Sequence, residues 1–389
     1  LKSIGSGAFS GVSTLKSIEF RGDGDKLTIG DQAFNATGIK GISLPAGIVS
    51  IGDSAFKQCP NLTDVSFKGE DPNLSIGKQV FLACPELKIV TLPEGISKID
   101  DRAFQNSAKL ELVSFGGAAK DLVIGGGAFT GTALSSIEFP AGIKRIGEAS
   151  FNSLSTLKTI SFAGDVSGDG LEIDRYAFQN SGLTSVSLPE GIKKVGEYCF
   201  YSCSNLKRVE WPAAYAGAKV DTRVFGKTSV EELTIPEGVT KLAKASIGEM
   251  DSLKYLKLPS TIASTEERTL HALKLEVLDI TALSNPSCLH KNSDGEYDWV
   301  GSPASVTYAS DASVASAVPL WGAQAVCVTN GGIVSDEATP GKDGFAVLLK
   351  DGMTFGGWYD NAQFLGEEAN APKPSYKLYY AKWSSRISF

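Results

Sequence analysis

A unit of about 22 to 27 residues recurs roughly twelve times between Leu1 and Ile280, and this period limits the fold more than any other feature of the chain. Its anchor is a Phe, usually preceded by Ala, at Phe9, Phe34, Phe56, Phe81, Phe104, Phe129, Phe151, Phe178, Phe200 and Phe225. Ile247 and Leu270 take the same place in weaker copies. A fixed period of this size marks a solenoid, in which a unit buries its apolar side only by stacking on its neighbours. Such a chain is a binding scaffold before any site is considered.

Each unit has two informative halves. The first ends in a strand pattern, as in Leu62-Thr63-Asp64-Val65-Ser66-Phe67 and Leu157-Lys158-Thr159-Ile160-Ser161-Phe162. The last three positions alternate apolar, polar, apolar, as a half-buried strand does. The second half reads like Ile48-Val49-Ser50-Ile51-Gly52-Asp53-Ser54-Ala55-Phe56. It predicts two apolar residues three apart, a turn at Gly-Asp, and a short helical turn that sends Phe inward. Twelve coils at the strand spacing of about 4.8 Å would form a rod of about 55 Å. Longer and shorter units alternate. The longer ones carry polar loops (22–26, 69–73, 116–120, 164–170, 213–219), and the shorter ones turn through Pro45, Pro93, Pro140, Pro189, Pro236 and Pro259. Proline suits the end of a strand, since it cannot donate to the next rung.

Composition excludes several functions. The net charge of −7 leaves no basic surface to displace counterions from a nucleic-acid backbone. No apolar run reaches the roughly 20 residues of a membrane-spanning helix. Two histidines, His271 and His290, leave little room for a multi-His metal site or for His-based acid–base chemistry. The chain begins at Leu1 inside a repeat, without Met or a signal sequence, and reads as a trimmed fragment. An uncovered first coil is expected to associate edge to edge or to need further repeats.

The strand Leu-x-x-Val/Ile-x-Phe/Leu followed by Ile-x-x-Ile-Gly-x-x-Ala-Phe resembles the BspA-type leucine-rich repeats of bacterial surface proteins. The resemblance covers about 280 residues and departs from pattern only at Ile247 and Leu270. It implies a right-handed, mainly β coil stack with short helical turns over residues 1–280. Residues 281–328 are expected to close the stack. Val306-Thr307-Tyr308, then 310–317, Trp321 and 325–328 read there as strand, short helix, Trp plug and strand. Residues 329–389 break the period. Their Gly357-Trp358-Tyr359 and Tyr380-Ala381-Lys382-Trp383 resemble the Listeria–Bacteroides repeat, which implies a small β-grasp-like module. Phe355, Trp358, Tyr376 and Trp383 supply the large apolar groups a domain of that size needs.

No catalytic constellation, cofactor motif or metal-ligand spacing emerges. Gly125-Gly126-Gly127 lies in the repeat register and reads as a turn, not a phosphate cradle. The acidic loops at Asp23 and Asp25, and at Asp165 and Asp169, lack the spacing of a calcium loop and read as solvated. Arg21-Gly22-Asp23 is an integrin-type tripeptide short enough to arise by chance. Cys59, Cys84 and Cys203 each follow an anchor Phe by three residues, the place of a small buried filler. A Cys59–Cys84 disulfide between neighbouring coils is the lesser alternative.

Two exposed strand columns carry the candidate binding surface. One runs from Glu19 through Ser43, Ser66, Thr91 and Ser114 to Asp279, and the other from Ser17 through Gly41, Asp64, Ile89 and Leu112 to Val277. Toward the C-terminal end they gain Arg208, Glu210, Glu232, Tyr255 and Lys257. Arg and Tyr are enriched at interface hot spots, so these five are the candidate partner-binding residues. Ordinary cross-strand charge pairing is the blander reading of the same residues. The expected function is non-enzymatic: a secreted or cell-surface bacterial protein that binds another protein, a host extracellular-matrix protein or other surface protein among them, as an adhesin would. The alternatives are surface carbohydrate binding, with Tyr201, Tyr255 and Tyr297 as exposed rings, and a passive spacer presenting another domain. A contiguous apolar patch favours protein binding, a groove with paired exposed rings favours glycan, and a uniformly polar surface favours the spacer.

Overall fold

The computed structural model describes residues 1–279 apart from 24–25, 70–72, 165, 167–169, 213–214, 218, 267, 270–272 and 274–276. For 277–279 and for the later strands Ser305–Thr307, Gln324–Val326, Met353–Tyr359 and Tyr379–Ser385, the backbone alone is described. The chain forms two compact units, Leu1–Ser229 and Val230–Phe389.

The first unit is a parallel β-solenoid. The Ile-x-x-Ile half of the first nine repeats contributes one strand each to a nine-stranded parallel sheet, from Ser3–Ile4 through Ile48–Ile51 and Leu122–Ile124 to Ile192–Val195. The Leu-x-x-Val-x-Phe half forms a second parallel ribbon in three pieces. These are Gly41–Leu44 with Asp64–Phe67, Ile89–Leu92 and Leu112–Phe115; Ser136–Phe139 with Thr159–Phe162; and Ser185–Ser187 with Arg208–Glu210. Both predicted columns are in register, with Gly41, Asp64, Ile89 and Leu112 opposite one another and Ser43 opposite Ser66. Strands Gly41–Leu44, Ile89–Leu92 and Ser136–Phe139 each end on the residue before a proline.

The core is a file of rings. Phe9 to Phe225 stack in nine successive pairs, for example Phe104–Phe129 at 5.1 Å and Phe129–Phe151 at 4.9 Å between centroids. Phe34 to Phe225 are fully buried. Beside them the last apolar residue of the Ile-x-x-Ile strand, Ile51, Ile76, Ile99, Ile124 and their equivalents, closes the interior.

The predicted helical turn around the anchor is not a helix. No helix is formed among the described residues. Alternate amides there face different partners. Gln32, Phe34 and Ala36 donate to Asp53, Ala55 and Lys57 of the next coil at 2.8–2.9 Å. Ala33 and Asn35 donate within their own coil, to Gly30 and Gln32. The cause lies in the backbone. Gln32 and Ala36 take φ of 54° and 53°, and the left-handed region stops a right-handed helix from propagating. The pair recurs four residues apart in coil after coil, as Ser54 and Gln58, Gln79 and Ala83, Arg102 and Asn106, Ala149 and Ser153. Among the described residues none with positive φ is β-branched, the side-chain type for which this conformation is most strained.

The position three after most of the Phe anchors carries a buried hydrogen-bonding side chain, Val12 and Leu154 being the apolar exceptions. Cys59 Sγ donates to the Phe34 carbonyl, Cys84 Sγ to Phe56, Ser107 Oγ to Phe81 and Cys203 Sγ to Phe178. Thr37, Thr132 and Thr228 bond their own anchor's carbonyl instead. The cysteines there are small fillers that also satisfy a backbone acceptor. Cys59 and Cys84 are free thiols in this structure, not a disulfide.

In the second unit, Glu232–Thr234, Tyr255–Lys257, Val277–Asp279 and Ser305–Thr307 form a parallel sheet in that order. Gln324–Val326 and Met353–Tyr359 both pair antiparallel with Tyr379–Ser385. The remainder of residues 281–389, with the expected short helix, Trp321, Tyr297 and Tyr376, lies outside the described residues, as do Leu270, His271 and parts of four of the five long polar loops.

Candidate functional site: a strand face and a polar groove

The predicted partner-binding residues divide between the two units. In the first, Arg208 and Glu210 are exposed and form an ion pair with each other along one strand, not across strands. In the second, Glu232 is exposed and Lys257 half-buried. Tyr255 departs from expectation. Its residue is only 4% exposed, so it is not the exposed ring that either binding reading required. Its strand is an inner one, paired on one side with Glu232–Thr234 and on the other with Val277–Asp279.

The same face of the first unit carries a pair that the search for Arg and Tyr passed over. Ile89 and Leu112 stand directly opposite each other and are 41% and 45% exposed. Next to them the hydroxyl column forms rungs, Ser66 to Ser43 at 3.2 Å and Ser114 to Thr91 at 3.4 Å. Arg21 and Asp23 are exposed, and Arg21 pairs with Glu19 at 3.6 Å. Among the described residues no group of three or more His, Cys, Asp and Glu is placed to hold a metal. Asp25, Asp165 and Asp169 lie outside them.

A groove of about 1210 Å³ runs along the Gly-Asp turns of the first unit, from Lys78 to Asp221. Its basic side chains are Lys78, Lys98, Arg102, Arg145, Arg175 and Lys194. The acidic ones are Asp100, Asp101, Glu148, Asp174, Glu197 and Asp221, so the lining is electrically balanced. Many of these charges are paired between coils. Asp174, whose side chain is 8% exposed, takes Arg145 at 2.7 Å and Lys194 at 3.3 Å. Arg175 pairs with Glu148 at 2.9 Å, and within one coil Lys98 pairs with Asp100 at 2.6 Å. The hydrogen bond from its guanidinium to Asp174 raises the pKa of Arg145 further. Burial works to raise Asp100, but Lys98 and the Asp101 amide outweigh it and hold that carboxyl below its ordinary value.

The turns that border the groove require close approach. A Cβ on Gly125 would lie 2.4 Å from the Asp101 nitrogen, so this glycine is dictated by coil packing. Gly126 differs: a Cβ there would meet nothing closer than 3.4 Å, and its amide is held by Asp101 Oδ1 at 2.8 Å. As the sequence implied, these glycines form a turn.

Beyond the groove's centre the left-handed column carries Tyr176 and Tyr198, both half-buried, with centroids 5.4 Å apart. Arg175 lies over the Tyr176 ring at 5.8 Å and Arg223 over Tyr198 at 5.9 Å. Tyr201 meets Tyr198 edge-on at 5.3 Å. The sequence reading singled out Tyr201 alone of these three. The signal it lacked was the register: Tyr176 and Tyr198 precede the anchor by two residues, a position that the backbone turns toward solvent.

A stack of parallel coils with one strand per half-repeat, a buried ring file and a paired polar groove defines a leucine-rich-repeat solenoid. The chain matches the BspA type leucine rich repeat region in six copies, over residues 1–111, 74–207, 122–246 and 218–287, and it belongs to that family. No curated protein matches it. It is similar in structure to a leucine-rich repeat protein from Bacteroides ovatus, at 22% identity and a TM-score of 0.51, over 77% of this chain and 76% of that one. A leucine rich cell surface protein from Faecalibacterium prausnitzii aligns at 21% identity and 0.35, over 73% and 83%. The pneumococcal vaccine antigen PcpA aligns at 17% and 0.40, over 80% and 72%. Among the described residues no helix is long and apolar enough to cross a membrane.

Proposed function

We propose that this protein is a secreted or cell-surface bacterial binding protein that engages a protein partner through its strand face, as an adhesin does. Ile89 and Leu112 carry the reading. They are large apolar side chains, side by side, exposed on neighbouring strands of one four-stranded parallel sheet. An apolar pair fixed before contact contributes to affinity with little ordering cost. Arg208 and Glu210 sit further along the same ribbon as polar rim, and Glu232 and Lys257 are the corresponding candidates in the second unit. Family membership supports a binding role and argues against chemistry. Attachment to the cell surface rests on the family.

The test is surface plasmon resonance of the full chain against immobilised extracellular-matrix and serum proteins. A saturable response that weakens about tenfold in the Ile89→Asp, Leu112→Asp variant, a change of about 1.4 kcal/mol, supports the reading. Silence against every protein, or binding indifferent to both positions, favours the spacer.

A further inference from the structure

We infer that the groove over Gly126, Gly127 and Ala149 is a second, separate binding site, for a neutral oligosaccharide. The argument starts from one left-handed column. Successive coils present Arg102, Gly127, Ala149 and Tyr176 there. Two coils in the middle thus carry no side chain longer than a methyl group, and a dip opens between a guanidinium and a phenol. The two ends are three coil spacings apart, about 15 Å at roughly 4.8 Å each. The dip lies within the 1210 Å³ groove.

The lining matches a polyol. Gln79 and Gln105 bring amides that both donate and accept, as sugar hydroxyls do, while the Asn152 amide is held in place by Gln179 and Ser153. Charge argues against an acidic or basic ligand: six cations face six anions. The Asp174, Glu148 and Asp100 pairs already neutralise much of that lining. They also hold their planar groups still, so a ligand meets a preorganised polar surface. A peptide is disfavoured for a different reason. Peptide anchors seek desolvated apolar pockets, and Ile124 here is fully buried beneath the floor. Arg175, which lines the groove, lies over the Tyr176 ring just beyond its margin.

Isothermal titration of the full chain tests this, with maltohexaose, cellohexaose, mannohexaose and xylohexaose as neutral probes. Hexagalacturonate serves as the acidic probe and a pooled peptide library as the protein-like one. The expected result is saturable binding of at least one neutral hexasaccharide. Gly126→Gln, placed where a Cβ has room, should weaken it about tenfold, and so should Gln105→Ala, which leaves the backbone alone. Ile89→Asp should not affect it, which separates this site from the strand face. The inference is overturned if no neutral hexasaccharide binds, if binding ignores both groove variants, if hexagalacturonate binds more tightly, or if only peptides compete for the groove.

Discussion

Arg145 Nε donates to Asp174 Oδ2 at 2.7 Å from one neighbouring coil, while Lys194 reaches Oδ1 at 3.3 Å from the other. The carboxylate is nearly buried and its partners are about half exposed. One anion therefore ties three coils, and the three groups are not equivalent. Loss of Asp174 strands two cations, whereas loss of either cation leaves the anion with one partner. Asp174→Ala should destabilise by about 1–2 kcal/mol, discounted for the exposure of its partners, and by more than Arg145→Ala or Lys194→Ala. Urea denaturation of the three variants checks the order. Equal costs would show that Asp174 is not the hub.

Two carboxyls, Asp100 and Glu237, contribute to the loss of stability in acid. Burial works to raise both, but Lys98 and the Asp101 amide hold Asp100 below its ordinary 3.8, and the Ser260 amide and hydroxyl hold Glu237 below 4.5. A depressed pKa means that the unfolded chain takes up the proton first as pH falls. The stability contributed is fully present above those ordinary values and is lost as pH drops through the lower folded ones. Thermal melts from pH 7 down to pH 2 should show little loss of stability from these groups until the ordinary values are reached. Lys98→Met should make the acid-induced loss shallower.

Phe129 is the most closely stacked of the anchors, between Phe104 and Phe151. Truncation to Ala removes contacts to both neighbouring coils and leaves a cavity the sheets cannot close. The expected cost is about 3–5 kcal/mol. In a solenoid the damage is local, so hydrogen exchange should accelerate first in the coils anchored by Phe104, Phe129 and Phe151. Uniform acceleration over the whole first unit would contradict nearest-neighbour packing.

Ala83 occupies the left-handed region with φ of 54°. Gly adopts that conformation without strain, so Ala83→Gly should be neutral or stabilising by up to about 1 kcal/mol, against the usual penalty for this exchange. Ala83→Val should destabilise by about 1–3 kcal/mol. A penalty of about 1 kcal/mol for Ala83→Gly in guanidinium melts, with none for Ala83→Val, would mean that the left-handed conformation is not held there.

Burial raises the Cys203 thiol to about 11 and pushes Cys199 well above its ordinary value. The hydrogen bond with Cys59, together with burial, does the same for Cys84. These thiols should resist iodoacetamide at pH 8 in the folded protein and react promptly in denaturant, since the thiolate is the nucleophile. Peptide mapping by mass spectrometry reads each site separately. Fast labelling of Cys203 before unfolding would place it at the surface.

Much of this molecule could be read from its amino acids. A recurring Ala-Phe with flanking Ile-x-x-Ile and Val-x-Phe patterns admits only a coil stack, because one unit cannot bury a Phe by itself. The same patterns set which residues of each strand face outward, since side chains alternate. Ser43 therefore met Ser66, and Ile89 met Leu112, where the period placed them. What the period leaves open is everything decided between coils. Alternate amides near Phe34 seek the next coil, and this turned an expected helical turn into a ladder. Tyr255, which the strand alternation placed outward, is buried. The dip at Gly127 and Ala149, flanked by Arg102 and Tyr176, exists only because residues about 25 positions apart lie side by side. Sequence determined the unit and its inward face through local geometry and hydrophobicity. The groove and its charge pairs were decided by stacking, which brings together side chains that no local pattern relates.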